Sequence, residues 1–513
     1  MCGITAIWGE NDTELTRQIM KSLVHRGPDS SGIASRQRAT LGHRRLSIMD
    51  PEGGRQPICS EDKATAIVAN GEIYNFRALK KDLSIRHRFR TSSDSEVLLH
   101  LYEDVGCSMV DSLDGMFAFI LTDGQELFAA RDPVGIKPLY YGSSGHRTVF
   151  ASELKALSGR ATDVKEFPPG SFFHTQTGFH KYRHIPRAEP EERPIDHWCG
   201  LIRETLERAI IKRLMSDVPL GAFLSGGLDS SIIAAVARAH LNELHTFSVG
   251  IEGSRDLEAA RVVAQHIDSI HHEYVFTVDD IKRHLPEIVF YLESFDQDLV
   301  RSAVPCYFVS RLASEYVKVI LTGEGADELF GGYSYYKEFG GTMPLHEELY
   351  RSVSSLHNIN LQRVDRLTMA HSIEGRVPFL DLEMIELGQR IPSQWKIRQL
   401  QNRIHVEKWI LRKAFEDLLP AEIVWRTKEQ FDEGSGTTDV LPLIGNHFMP
   451  QTAAQEYMTS HRHDRIRSHE ECVYHKLLCE AYVDPSTVLT NVARWEDNRI
   501  HELPNKPDAG DGK

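Results

Sequence analysis

The feature that most constrains this chain is a change of hydrophobic rhythm part-way along it. Up to about residue 180, short β-favouring runs dominate, among them "ITAIWG", "TAIVANGEIYN", "MFAFILTDGQELFAARD" and "PLYYG", separated by turn dipeptides such as Asp123-Gly124. A few helical stretches such as "DSEVLLHLYEDVG" interrupt them. Strands following strands predict an α+β unit with antiparallel sheets. Farther on, strand-like and helical segments alternate: "VPLGAFL", "SSIIAAVARAHL", "LHTFSVGI", "DLEAARVVAQHI", "HHEYVFT" and "VKVILTG". That order predicts right-handed crossovers and a parallel sheet, with ligands beyond the carboxyl ends of the strands. After about residue 340 the pattern is mostly helical, and the last dozen residues, "ELPNKPDAGDGK", read as frayed.

One core cannot serve both rhythms, and 513 residues exceed what a single core supports. The segment "YRHIPRAEPEERPIDHW" places three prolines among many charges and reads as a linker, with a surface loop as the alternative. The expected division is residues 1–182, a linker over 183–200, and 201–513. A hydrophobic content of 41% with 26% charged residues is that of a packed globular chain. The longest apolar runs fall far short of the roughly 20 residues that cross a bilayer, and no leader pattern is read, so the expected location is cytoplasmic, with no membrane partner. Cys2, Cys59, Cys107, Cys199, Cys306, Cys472 and Cys479 are odd in number and lack CxxC spacing. A disulfide framework and a structural zinc are therefore not expected. A net charge of -14 argues against nucleic-acid binding, so any anionic ligand must be met by local donors.

The chain opens "MCGITAIWGE". If the initiator is removed, Cys2 carries a free α-amine beside its thiol. An unperturbed thiol is mostly protonated near pH 7, whereas an α-amine titrates at roughly 7.7–8, so the neutral amine can take the thiol proton. Nucleophile and base then share one residue. Four further stretches add weight: "HRGPDSSG" (25–32), "HRRLSI" (43–48), "NGEIYN" (70–75) and "SSDSEV" (92–97). Together with Cys2 they make the run to about Tyr182 resemble the class II glutamine amidotransferase domain. The resemblance implies that Arg45 forks onto the α-carboxylate of glutamine, that Asp94 pairs with its α-ammonium and that Glu72 holds its amino end. Leu46, Ser47, Ile48 and Met49 would line the same pocket. Asn70 (side chain) and Gly71 (backbone N–H) would form the oxyanion hole, although Asn-Gly is also the best short hairpin signal.

Two glycine-rich loops follow strand-like runs in the second half. In "FLSGGLDSSIIAA" the turn Ser225-Gly226-Gly227 leads into a helix starting near Asp229-Ser230-Ser231, which exposes backbone N–H groups as an anion cradle. It lacks the GK[ST] of a Walker loop. The string SGGxDS instead resembles the pyrophosphate loop of enzymes that split ATP into AMP and pyrophosphate. In "LTGEGADELFGGY", Glu324, Asp327 and Glu328 cluster at a helix start. Asp229 with Asp327 could supply the protein share of a Mg2+ site, and acidic N-capping is the plainer explanation.

With "SIEGRVPFLD" (372–381) and "KEQF" (428–431), the chain from residue 1 to about 435 resembles the glutamine-hydrolysing asparagine synthetase family. That resemblance implies a four-layer αββα glutaminase domain followed by an α/β parallel-sheet ATP-pyrophosphatase domain of the adenine nucleotide α-hydrolase type. It implies ATP held by Phe223, Ser225, Gly226, Gly227, Asp229, Ser230, Val249, Thr322 and Gly323. Glu324 would assist the acyl-adenylate step, Lys428 would stabilise the transferring phosphate, and Arg301 is a candidate contact for acceptor or pyrophosphate. Substrates would be glutamine, aspartate and ATP, with Mg2+ as cofactor and a homodimer as a frequent assembly. Phe223 stands where the family carries an aliphatic residue, and Thr322 where serine is frequent. The form of "NLQRVDRLTMAHS" also leaves a different carboxylate acceptor open.

Overall fold

Alternation along the strands decides the architecture of the first half. In the computed structural model, which describes residues 2–339, 343–400 and 404–495, two six-stranded antiparallel sheets form there. The first runs Thr162–Glu166, Tyr140–Ser144, Arg147–Ala151, Gly3–Trp8, Ala39–Arg45, Ser30–Ser35 in spatial order; the second runs Gly178–Lys181, Ser171–His174, Leu127–Arg131, Gly115–Thr122, Ala66–Ile73, Ile58–Cys59. Successive side chains point to opposite faces of a strand. Ile4 and Ala6 accordingly meet Val68, Ala118, Ile120 and Leu127 between the sheets. On the outer faces, Phe117, Phe119 and Leu121 pack on helix Glu96–Val105, while Ile7 packs on Ile19 of helix Thr13–Lys21. The layers are helix, sheet, sheet, helix.

The second half holds a five-stranded parallel sheet in the order Ile270–Val275, His245–Gly250, Leu220–Phe223, Val319–Leu321, Glu374–Arg376. The chain builds outward from Leu220–Phe223, then returns to add Val319–Leu321 on its other side. The strand order therefore reverses between these two, which is where open parallel sheets bind ligands. The alternating segments of the sequence fall on these strands and on helices Leu228–His240 and Arg255–Ile267. The edge strand Glu374–Arg376 has no hydropathic signature. It is buried because Arg376 spends its guanidinium on Glu374 (2.6 Å) and on the carbonyls of Arg213 and Met215 (2.6 Å each).

Residues 183–194 are irregular, and helix Ile195–Lys212 begins within the expected linker with Trp198 fully buried. Helices Thr437–Phe448, Gln451–Ser460 and His469–Ala481 pack back on the parallel-sheet half through Leu441, Ile444 and Leu478. The expectation of fraying at the extreme end lies outside the described residues. Among the described residues no helix is long and apolar enough to cross a membrane.

The two halves share buried charge. Arg26 of the first bonds Glu153 (2.6 Å) and reaches Asp365 of helix Asn360–Ala370 (2.6 Å). Lys155 spans Glu153 (2.8 Å) and Glu293 (3.0 Å), and Arg366 meets Glu293 at 2.8 Å. Three cations face three carboxylates, and all six side chains are at most 4% exposed. Removing one partner strands a buried charge, which costs about 3–5 kcal/mol. Asp365→Ala is expected to lower unfolding stability by about that amount, read as a lower urea midpoint; an unchanged midpoint would deny the seam its role.

Candidate functional site

One end of the double sheet brings Cys2 and the strand Ala66–Ile73 together. The Cys2 nitrogen donates to Asn70 Oδ1 at 2.9 Å, its carbonyl accepts from Arg26 Nε at 3.0 Å, and its thiol faces the Leu46 carbonyl at 3.9 Å. Asn70-Gly71 is not a hairpin turn: the pair lies inside the strand, opposite Ala118 and Phe117. Gly71 has φ +146°, and a Cβ there would meet the Met116 carbonyl oxygen at 2.0 Å, so the position requires glycine. With its oxygen turned to Cys2, Asn70 is left with a buried Nδ2 that has no partner. A buried donor without an acceptor beside a nucleophile is poised for an oxyanion.

This small pocket is lined by Cys2, Arg45, Leu46, Ile48, Met49, Gly71, Glu72 and Asp94, with Gly54, Gln56, Ala69, Ser93 and Ser95. Ser47 and Asn70 stand behind the wall, the Ser47 N–H bonded to Asp29 at 2.8 Å. Arg45 donates to the carbonyls of Met49 (3.0 Å), Asp50 (2.6 Å) and Pro51 (2.9 Å). These bonds hold the loop, and among the described residues no carboxylate forms an ion pair with the Arg45 guanidinium. Burial pushes the Asp94 carboxyl up to about 6, against the Ile73 N–H that bonds it at 2.7 Å. Burial, with Glu374 and Asp94 nearby, pushes Glu72 well above the usual carboxylate range, and Arg376 meets it at 3.3 Å.

Burial also pushes the Cys2 thiol up. No histidine lines the pocket among the described residues, and burial pulls the neighbouring-strand His43 down to about 3 while its ring bonds the Ala69 carbonyl. A proton leaving the thiol has no imidazole to receive it.

The second pocket, about 220 Å³, opens at the strand-order reversal of the parallel sheet. The turn after Leu220–Phe223 is pinned by Ser225 and Ser230, whose hydroxyls lie 3.2 Å apart, and by Ser231 donating to the Gly227 carbonyl at 2.7 Å. Gly226 (φ +69°) lies against Ala259, where a Cβ would come within 2.4 Å, so it shapes the turn from beneath and does not line the pocket. Phe223, Ser225, Gly227, Asp229, Ser230, Val249, Thr322, Gly323, Glu324, Asp327 and Lys428 do line it.

At its centre the residue missed by sequence reasoning is Lys408. Its ammonium lies 2.5 Å from Asp229 and 2.6 Å from Asp327, while Lys428 sits 2.9 Å from Asp327. Burial would raise Asp327, but the two lysines outweigh it and hold the carboxyl at about 2. Asp229 and Asp327 occupy the first turns of their helices, where the helix dipole favours a carboxylate, but the N-caps are Gly227 and Gly325 and neither helix has a side-chain capping bond, so the expected N-capping is not made. Asp229 Oδ1 is buried without a hydrogen-bond partner. Glu324 pairs with Arg363 of helix Asn360–Ala370, and Glu328 turns away to Tyr333 (2.6 Å) and Asn360 (3.2 Å). Arg301 is corrected: it ties its helix to Glu470 of the C-terminal region and does not line the pocket. That region returns Trp495 to the pocket wall, which no motif announced.

Residues 1–185 match the family described as "Glutamine amidotransferase domain", and residues 201–342 and 337–484 match "Asparagine synthase". The glutamine-hydrolyzing asparagine synthetase 2 of Oryza sativa subsp. japonica is 43% identical over 460 residues, covering 85% of this chain and 78% of that protein. Synthetase 3 of Arabidopsis thaliana is 43% identical over 461 residues, covering 85% and 79%. The synthetase of Sandersonia aurantiaca is 38% identical over 507 residues, covering 94% of this chain and 96% of that one. With two pockets built on these two halves and such coverage by relatives, the chain belongs to the glutamine-hydrolysing asparagine synthetase family.

Proposed function

We propose that this chain makes asparagine from aspartate, glutamine and ATP in the cytoplasm, with residues 1–182 as glutaminase and 201–513 as synthetase, joined over 183–200. The observation that carries the reading is the pairing, in one molecule, of a thiol pocket without histidine and a lysine-neutralised acidic pocket at a sheet switch point. Seven free cysteines fit a reducing compartment.

Removal of Met1 turns the Cys2 nitrogen, already aimed at Asn70, into an amine that takes the thiol proton. The sulfur attacks the side-chain amide carbon of glutamine, whose α-carboxylate lies on Arg45 and whose ammonium lies on Asp94. Asn70 Nδ2 and the Gly71 N–H receive the oxyanion. The amine returns its proton to the departing nitrogen, ammonia leaves, and water then cleaves the thioester to glutamate. In the second pocket the β-carboxylate of aspartate attacks the α-phosphorus of ATP, and pyrophosphate departs along the Ser225–Ser230 turn towards Lys428 and Lys408. Ammonia adds to the β-carbonyl, Glu324 takes a proton from the adduct, and AMP leaves as asparagine forms.

Asp229 and Asp327 fit a Mg2+ ion, since both are oxygen donors and Asp229 Oδ1 lacks a partner. Bound there with phosphate oxygens, the ion would neutralise charge on the leaving pyrophosphate.

Cys2→Ala is expected to abolish glutamine-dependent synthesis and leave ammonium-dependent synthesis intact; loss of both would sink the two-site reading. Asp327→Asn should depress pyrophosphate release at least tenfold with either nitrogen source while glutaminase persists, and an acceptor screen should find aspartate the best carboxylate. The glutaminase pH profile follows from the two groups that must be deprotonated. The amine, near 8, gives log kcat/KM a slope of one on the acid side. Asp94 is charged only above about 6, so below that pH the slope should steepen to two. A profile that keeps a slope of one to pH 5 removes Asp94 from ammonium binding.

A further inference from the structure

Beyond the two pockets, one cluster of ligand-type side chains has no part in either reaction. It lies at the carboxyl end of helix Glu96–Val105, which carries His100 and Glu103 three residues apart and so on one face. His87 reaches the same place from the segment that follows helix Phe76–Leu83. One ligand atom from each of His87, His100 and Glu103 lies within 4.8 Å of the other two. His100 Nδ1 stands 2.8 Å and His87 Nδ1 3.3 Å from the same oxygen, Glu103 Oε2. The two imidazoles stack at 4.6 Å between centroids, and Phe89 closes one side with its ring 4.7 Å from His100.

His87 Nε2 lies 2.7 Å from Asp104 Oδ1, and Asp104 is also gripped by Arg86. His87 thus has a carboxylate oxygen at each ring nitrogen, Asp104 at Nε2 and Glu103 at Nδ1. His100 also turns Nδ1 inward, while its Nε2 is buried without a hydrogen-bond partner, 3.7 Å from Glu96 Oε1. Two imidazole nitrogens and a carboxylate oxygen are thus gathered within 4.8 Å, and a carboxylate hydrogen-bonded to the outer nitrogen of a ring, as Asp104 is to His87, is how proteins orient histidine on a metal. Bonds of about 2.0–2.1 Å in a tetrahedral site put ligand atoms roughly 3.3 Å apart, so modest side-chain shifts from the present spacing suffice.

We propose that His87, His100 and Glu103 form a site for a divalent transition metal of the zinc class, with water as the fourth ligand and Asp104 and Glu96 as orienting carboxylates. Two imidazoles select against magnesium and calcium, which take oxygen donors. Glu103 and His87 are 27% and 18% exposed, which gives an ion a way in, while His100 is 2% exposed and fixes the inner wall. The site braces the segment leading to the glutamine pocket, because Glu96 also accepts from the N–H groups of Arg90 (2.8 Å) and Thr91 (2.7 Å), just ahead of Asp94.

The test is equilibrium dialysis of the full chain against micromolar free Zn2+ in excess Mg2+, with metal analysis, followed by Co2+ substitution. One equivalent of zinc should be retained, and cobalt should give the intense visible bands of a four-coordinate site. His87→Ala should weaken zinc binding at least tenfold and remove those bands, with far-ultraviolet circular dichroism unchanged. Should that variant fail to fold, the same-sized Glu103→Gln decides by the same measures. Absence of a bound equivalent, or binding with unchanged affinity in the folded variant, would overturn the site.

Discussion

The rest of the molecule depends on the buried ion pairs that Arg26 makes. Its guanidinium holds the Cys2 carbonyl on one side and Glu153 and Asp365 on the other. Asp365 belongs to the helix whose Arg363 is paired with Glu324 in the nucleotide pocket. A charge taken out of water must keep its partner, so the members of such a network hold together or fail together. Cys2 and Glu324 are thus both tied to helix Asn360–Ala370, the first through Arg26 and Asp365, the second through Arg363. A surface salt bridge could not do this, since exposed pairs contribute little.

Burial then sorts the acids by what stands beside them. Asp94, with backbone donors and no cation at contact, rises to about 6 yet remains charged at neutral pH. Glu72, equally buried and crowded by Glu374 and Asp94, is pushed well above the usual carboxylate range. Asp327 feels the same burial but has two lysine ammoniums within 3 Å and falls to about 2. Glu328, one residue along and turned to Tyr333, goes up to about 7. Neighbouring carboxylates thereby differ in charge state according to whether a cation, a backbone donor or another carboxylate stands beside them.

What was legible in the sequence is what is fixed locally. The Ser225–Ser230 turn and the Thr322–Gly323 loop follow strands, need glycine where φ is positive or backbones approach, and start helices; each requirement sits within a dozen residues. The antiparallel sheets of the first half were readable for the same reason, since alternation along a strand is a local pattern, whereas the αββα layering followed only from the family resemblance. Lys408 was not legible. It gains meaning only because the fold carries it to Asp229, 179 residues away in sequence. Glu374–Arg376 escaped notice because a strand kept inside by ion pairs carries no apolar pattern. Arg301 failed in the opposite sense: a cation near the right helix is claimed by Glu470, from a region whose weak patterning gave no hint that it packs there. His87 and His100 lie outside any cysteine-based spacing rule, so metal-site reasoning from cysteines passed them by.

The edge strand Glu374–Arg376 explains why two chemistries profit from one core. Arg376 contacts Glu72 of the first pocket, and its carbonyl receives the N–H of Thr322, which lines the second. The backbone that positions one site is therefore continuous with a wall of the other. The seam between the halves sets Arg26, Lys155 and Arg366 against Glu153, Glu293 and Asp365, so each of these buried charges has an opposite one at contact. Because removing any one would strand its partner away from water, the same six side chains that join the halves also fix the backbone on which both pockets are built.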